Sequence, residues 1–199
     1  MQIGGFHRTS LIDYPGMISA VVFTQGCNFR CPYCHNPELV YPGQYQALIP
    51  EEEVFFFLKK RKPLLDGVVI SGGEALLQGD LTTFLKRIKA IGYPVKLDTN
   101  GSLPDDLSAV IRGGLIDYVA MDIKAPFSKY AEVAGVQVET DAIRESIKVI
   151  IRSGVKYQFR TTKSDVLLDE RDIDLIHEYT GRTSNYVVQQ INPYANPAG

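Results

Sequence analysis

Residues 67–101 read GVVISGGEALLQGDLTTFLKRIKAIGYPVKLDTNG, and this stretch decides the fold. It opens on an apolar, β-branched run, Gly67–Ile70, that breaks at Ser71-Gly72-Gly73. Asp80–Ile91 then carries Leu81, Phe84, Leu85 and Ile88 at the spacing of one helix face, and Gly92 stops it. A second apolar run, Val95–Leu97, ends in Asp98-Thr99-Asn100-Gly101. Strand, crossing helix and strand in this order predict two parallel strands joined by a crossover.

The same alternation extends in both directions. Ile18–Phe23, Tyr118–Met121, Lys156–Phe159 and Tyr186–Gln190 read as further strands. Pro50–Lys60 opens with proline and three glutamates, a helix start. Pro104–Arg112 ends at Gly113-Gly114, and Thr140–Arg152 places Ile143, Ile147, Ile150 and Ile151 on one stripe. Asp169–Tyr179 carries Ile173, Leu175 and Ile176. Six strands alternating with five helices predict a parallel α/β fold with both sheet faces covered. Six units are too few for a closed eight-stranded barrel, so a doubly wound sheet and a partial barrel both stay open. In either, the site belongs at the carboxyl ends of the strands.

The strand ends fit that rule. Strand one leads to Gly26-Cys27, strand two to Ser71-Gly72-Gly73-Glu74 and strand three to Asp98-Thr99-Asn100-Gly101. Strand four leads to Asp122-Ile123-Lys124, strand five to Arg160-Thr161-Thr162 and strand six to Gln190-Ile191-Asn192-Pro193-Tyr194. Polar residues gather at one rim.

Composition narrows the class. The chain has 199 residues, 45% hydrophobic and 22% charged, with formal net charge −2. This length predicts one domain, residues 1–199, with a sizeable core. No basic surplus points to nucleic acid or an anionic membrane, and the 11 tyrosines are dispersed rather than arrayed for stacking. No apolar run approaches the roughly 20 residues of a spanning helix. Met1–Thr9 lacks a signal-peptide apolar core, so the expected location is the cytoplasm. His7 and His177 belong to no motif.

All three cysteines fall in Cys27-Asn28-Phe29-Arg30-Cys31-Pro32-Tyr33-Cys34, unlike the dispersed cysteines of a secreted disulfide framework. Three thiolates this close can cup one metal centre. Three is one fewer than a [4Fe–4S] cluster usually takes, which leaves one iron open for chemistry. Two other readings compete: zinc on the three cysteines with His35, and a redox pair of Cys31 and Cys34. His35 directly follows Cys34 and would need a strained bite, and structural zinc usually takes separated pairs of ligands. The redox pair leaves Cys27 unexplained.

Cys27-x3-Cys31-x-Tyr33-Cys34 resembles the signature of the radical S-adenosylmethionine superfamily, with an aromatic residue before the third cysteine. Its continuation, His35-Asn36-Pro37-Glu38, resembles the activating enzymes of glycyl radical enzymes. Ser10-Leu11-Ile12-Asp13-Tyr14-Pro15-Gly16 and Phe23-Thr24-Gln25-Gly26-Cys27-Asn28 resemble the activating proteins of anaerobic ribonucleoside-triphosphate reductase. The likeness covers nearly the whole chain and implies a partial (β/α)6 barrel of parallel strands.

The resemblance implies that Cys27, Cys31 and Cys34 bind three irons of a [4Fe–4S] cluster and that S-adenosylmethionine chelates the fourth. It implies that Tyr33 and His35 lie near the adenine, and that Gly72, Gly73 and Glu74 receive the methionine amino group. Lys124 would meet the methionine carboxylate, and Asp98, Asn100 and Asp122 would lie nearby. The two aspartates build a monovalent-cation site in some relatives. Arg160 is a weaker candidate that a structural salt bridge explains nearly as well, and Asn100-Gly101 also reads as a tight turn. Ala195 stands where some relatives carry an adenine-contacting histidine, so it receives no role. There is no second cysteine cluster, and Tyr33 to Glu51 is too short for a ferredoxin-like insert, so no auxiliary centre is expected. The implied chemistry is radical generation on a partner enzyme's glycine, with a flavodoxin or ferredoxin as electron donor. A radical enzyme acting on a small molecule such as a nucleoside shares every cofactor motif.

Overall fold

A computed structural model describes residues 1–181 and 185–190. Ile191 to Ala195 lie outside the described residues.

Seven strands form one sheet in sequential order: β1 Ile3–Tyr14, β2 Met17–Thr24, β3 Gly67–Gly72, β4 Val95–Thr99, β5 Tyr118–Asp122, β6 Lys156–Lys163 and β7 Tyr186–Gln190. β2 to β7 run parallel, as the strand–helix alternation requires. Among the described residues β1 and β7 do not pair, so hydrogen bonds do not close the barrel. The helices are α1 Pro37–Val40, α2 Glu51–Arg61, α3 Leu81–Ile91, α4 Pro104–Arg112, α5 Tyr130–Ala134, α6 Thr140–Ser153 and α7 Glu170–Thr180.

β1 is absent from the sequence reading. It pairs antiparallel with β2 through a turn at Pro15-Gly16, and its register shifts three times. A solvated edge strand with bulges has no clean alternation for a pattern search to find. The other six strands fall where the apolar runs place them, four of them extended by one or two residues and β6 by four, to Lys163.

The helices pack on one face of the sheet. Leu81, Phe84, Leu85 and Ile88 of α3 are buried with Val68, Ile70, Val95 and Leu97. In α6, Ile143, Ile147 and Ile150 are buried, but Ile151 is exposed; in α7, Ile173 and Ile176 are buried, but Leu175 is exposed. Both exceptions sit one residue off the stripe, about 100° around the helix. The capping box of Asp169 and Asp172 starts α7. The opposite sheet face carries a smaller cluster of Tyr14, Val21 and Val69, with Phe23 and Tyr118 against it. Because side chains alternate along a strand, the residues on this inner face at the strand ends are Phe23, Ser71, Asp98, Asp122, Arg160, Thr162 and Gln189, and all of them line one cavity. Among the described residues no helix is long and apolar enough to cross a membrane.

Candidate functional site

The cavity holds about 320 Å³ at the carboxyl ends of the parallel strands. Of the thirteen site residues expected from the sequence, twelve line it: Cys27, Cys31, Tyr33, Cys34 and His35 after β2, Gly72 and Gly73 at β3, Asp98 and Asn100 at β4, Asp122 and Lys124 at β5, and Arg160 on β6. Glu74 does not line it.

The cysteine loop is braced from several sides. The Arg30 guanidinium donates to the carbonyls of Cys27 (2.6 Å) and Phe29 (2.7 Å). The Arg30 amide donates to Ala134 O at the end of α5 (2.7 Å). Gly135 follows with φ +69°, and a Cβ there would lie 2.1 Å from Arg30 O, so a residue about a hundred positions away must be glycine. The Phe29 amide reaches Cys27 Sγ at 3.4 Å. All three cysteines are free thiols. Burial pushes the Cys27 thiol up to about 11 and raises Cys31 as well, so a cation bound there displaces protons.

Three cysteine thiolates lining one cavity match the donor chemistry of an iron–sulfur cluster. A mononuclear zinc draws its sulfurs to about 2.3 Å from one atom, whereas each cysteine of a cluster holds a different iron. The Tyr33 hydroxyl, beside the cysteines, is buried and has no hydrogen-bond partner among the described residues, which suits a site shaped around a polar ligand.

Gly72 and Gly73 are small for a reason the sequence does not show. A Cβ at Gly72, where φ is +114°, would lie 2.3 Å from Thr24 N, and one at Gly73 would lie 2.0 Å from Gly26 O. The β3 loop presses against the backbone leading into Cys27, with Gly73 N donating to Thr24 O (2.9 Å) and Glu74 N to Gly26 O (2.8 Å). Glu74 is fully buried behind this contact. Its carboxylate accepts from Leu76 N (3.1 Å), Thr99 Oγ1 (3.0 Å) and Asn100 N (2.7 Å). Burial raises its pKa to about 7, and the three donors hold it from rising further.

A charge network spans β4, β5 and β6. Asp122 accepts from Arg160 Nε (2.8 Å) and pairs with Lys124 (3.0 Å). Asp98 pairs with Lys96, accepts from Ser71 Oγ (2.9 Å) and lies 3.7 Å from Arg160 Nη1. Arg160 is therefore the salt-bridge residue the sequence allows for, and it also faces the cavity. Three cations face two carboxylates, a surplus of one positive charge. Burial alone would raise Asp122, but Arg160 and Lys124 outweigh it and hold the carboxyl well below the usual carboxylate range. A depressed carboxylate stabilises the fold above its unfolded pKa of about 3.9 and loses that contribution as pH falls through the folded value. Asp122→Asn is expected to cost about 2 kcal/mol near neutral pH, less than a fully buried pair because solvent reaches the site. The gap between variant and parent narrows below about pH 4; urea melts at pH 7 and pH 3 measure it.

Several residues in or beside the cavity receive no site role in the sequence reading. Asp13 comes from β1, inside a motif quoted for its resemblance only. Lys96 is buried in mid-strand; an ionisable residue inside Val95-Lys96-Leu97 is the available signal. Phe23, Ser71, Thr162 and Gln189 follow from strand parity once the inner face is known. His7 and His177 lie outside the cavity: His7 packs on Phe23 and His177 on Tyr186.

Comparison with known proteins agrees with this geometry. A sequence profile of the Radical SAM superfamily matches residues 21–180. A protein of Methanocaldococcus jannaschii, provisionally named a glycyl-radical enzyme activating enzyme, is 38% identical over 196 residues, covering 96% of this chain and 80% of that one. The pyruvate formate-lyase-activating enzyme of Clostridium pasteurianum is 38% identical over 128 residues, 62% of this chain and 52% of that enzyme. The chain thus covers only about half the length of the second relative. Among solved structures, SuiB of Streptococcus suis bound to precursor peptide SuiA superposes with TM-score 0.68 at 16% identity, over 86% of this chain and 38% of that one. Native anSMEcpe with bound AdoMet gives 0.63 at 16%, over 84% and 49%. At such identity these two show the fold alone. The chain belongs to the radical SAM superfamily and, within it, to the glycyl-radical enzyme activating enzymes.

Proposed function

We propose that this protein generates a glycyl radical on a partner enzyme, and that the partner is an anaerobic ribonucleoside-triphosphate reductase. The observation that carries the reading is the convergence of three cysteines, a Gly-Gly edge and a cationic wall on one cavity. The choice of partner rests on residues 10–16 and 23–28, whose likeness is to activators of that reductase.

Cys27, Cys31 and Cys34 would hold three irons of a [4Fe–4S] cluster, with S-adenosylmethionine completing the fourth. When bound, the pair would supply one-electron reductive cleavage of the sulfonium, the chemistry needed to take a hydrogen atom from a glycine α-carbon. The chain's own residues bind, orient and exclude water. The Gly72-Gly73 edge presents backbone to a cationic amino group. Lys124, only 15% exposed, offers a point charge to a carboxylate, and the surplus positive charge of the network favours that pairing. Tyr33 brings its ring and a hydroxyl without a partner among the described residues to the same wall. Asp98 and Asp122 are already held by Lys96, Lys124, Arg160 and Ser71, so a monovalent cation would compete with them and forms no part of this reading.

Among the described residues β1 and β7 do not pair, and a side left open there would admit a loop of a partner protein. The test is anaerobic incubation with S-adenosylmethionine, a reduced flavodoxin or ferredoxin, and the reductase, followed by electron paramagnetic resonance. A glycyl doublet in the reductase is expected. If 5′-deoxyadenosine accumulates with no protein radical, the small-molecule reading replaces this one. A doublet in pyruvate formate-lyase but not in the reductase replaces only the partner.

A further inference from the structure

We infer that Glu74 is a positioning residue that aims the Asn100 side-chain amide at Cys27 Sγ, so that it sets the reduction potential of the cluster without touching the cofactor. The inference rests on the cluster reading above.

The carboxylate of Glu74 has no oxygen to offer the cavity. One oxygen takes Leu76 N–H and the Thr99 hydroxyl, the other takes Asn100 N–H. Its own amide donates to Gly26 O, one residue before Cys27. The buried side chain thus ties the end of β3 to that of β4, and the main chain of the same residue ties both to the end of β2. With the Asn100 backbone fixed, its side chain is also fixed. Asn100 Oδ1 accepts from Ser102 N (2.9 Å) and Ser102 Oγ (2.6 Å), which identifies that end of the amide as the oxygen. The nitrogen therefore faces the cysteine loop, 2.9 Å from Asn28 Oδ1 and 3.9 Å from Cys27 Sγ. The Phe29 amide approaches the same sulfur. Donors to a ligating sulfur stabilise the electron-rich, reduced state most, so their loss makes the centre harder to reduce.

The experiment is a redox titration of the reconstituted protein, monitored by electron paramagnetic resonance, with iron and sulfide content measured in parallel. Glu74→Ala is expected to lower the equilibrium constant for reduction by a fixed donor about tenfold, which is about 59 mV for one electron. Asn100→Ala, which leaves Glu74 intact, is expected to shift it equally. The double variant shifts no further, because the two act in series. Amide exchange on the full chain separates them: Asn100 N–H loses protection in Glu74→Ala and keeps its Glu74 acceptor in Asn100→Ala. A parental potential in fully loaded Glu74→Ala, or shifts that add in the double variant, overturns the inference. If Glu74→Ala takes up no cluster, Asn100→Ala decides, and a parental potential there overturns it. A parent protein that assembles no cluster refutes the functional reading instead.

Discussion

Cys31→Ala is expected to bring 5′-deoxyadenosine formation down to the no-enzyme background and to remove the brown colour and the bound iron and sulfide. On the proposed reading each thiolate would hold a separate iron, and the 199 residues contain no fourth cysteine to take over. Cys31 is buried at the centre of the loop, between Cys27 and Cys34. The fold itself should survive. A small buried side chain trimmed by one sulfur costs about 1 kcal/mol, and circular dichroism should match the parent. Product analysis after anaerobic incubation measures the effect. Cofactor cleavage that persists at the parental rate would refute the assignment of the cluster to this loop.

Gly73→Ala carries the second large effect, on stability and site together. A methyl group there would lie 2.0 Å from Gly26 O and 2.6 Å from Gly26 C. Both are backbone atoms at the end of the parallel ladder between β2 and β3, so no side chain can swivel aside. The expected cost is about 4 kcal/mol, at the severe end for a single substitution. For a chain of this size that lowers the melting temperature by about 10 °C. Gly79→Ala is the control, because nothing lies within 4 Å of its Cβ position, and it should stay within about 0.5 kcal/mol of the parent. Thermal melts of both variants check the pair. Equal melting temperatures would show that the loops tolerate separation. If Gly73→Ala folds, displacement of Gly26 should carry Cys27 with it and lower cluster uptake.

These two positions show how differently the site is written into the sequence. The cysteines are legible because their spacing is local: a loop of eight residues must bring them near one another in any fold. The strand ends are legible for a related reason. A parallel sheet gathers its carboxyl ends at one rim, so the alternation of strands and helices is enough to place Ser71, Asp98, Asp122 and Arg160 together. Gly72-Gly73 stands out in the sequence, but only part of its reason is legible there. Read locally, the glycines suggest close approach to a ligand; in the fold they line the cavity, and two backbones also pack against each other there. Glu74 groups with the ligands because it adjoins them in sequence. A 3-10 turn over Ala75–Leu77 and the β4 loop turn its carboxylate inward instead.

β1 is illegible because an edge strand with register shifts carries no regular pattern, and Asp13 is hidden with it. Gly135 is hidden because its reason for being glycine lies at Arg30, and no local signal spans that distance.

By itself the sequence determined the class of fold, the place of the site along each strand and the grouping of its cysteines. Each of these depends on local periodicity or short spacing, which the chain carries wherever it folds. The tertiary structure alone decided which polar side chains face the cavity and which hold other loops in place. It pairs Asp122 with Arg160 and Lys124, seals Glu74 behind Asn100, and packs Gly73 on Gly26. Those outcomes depend on strand parity, register and contact between segments far apart in the chain, and they exist only once the sheet has formed.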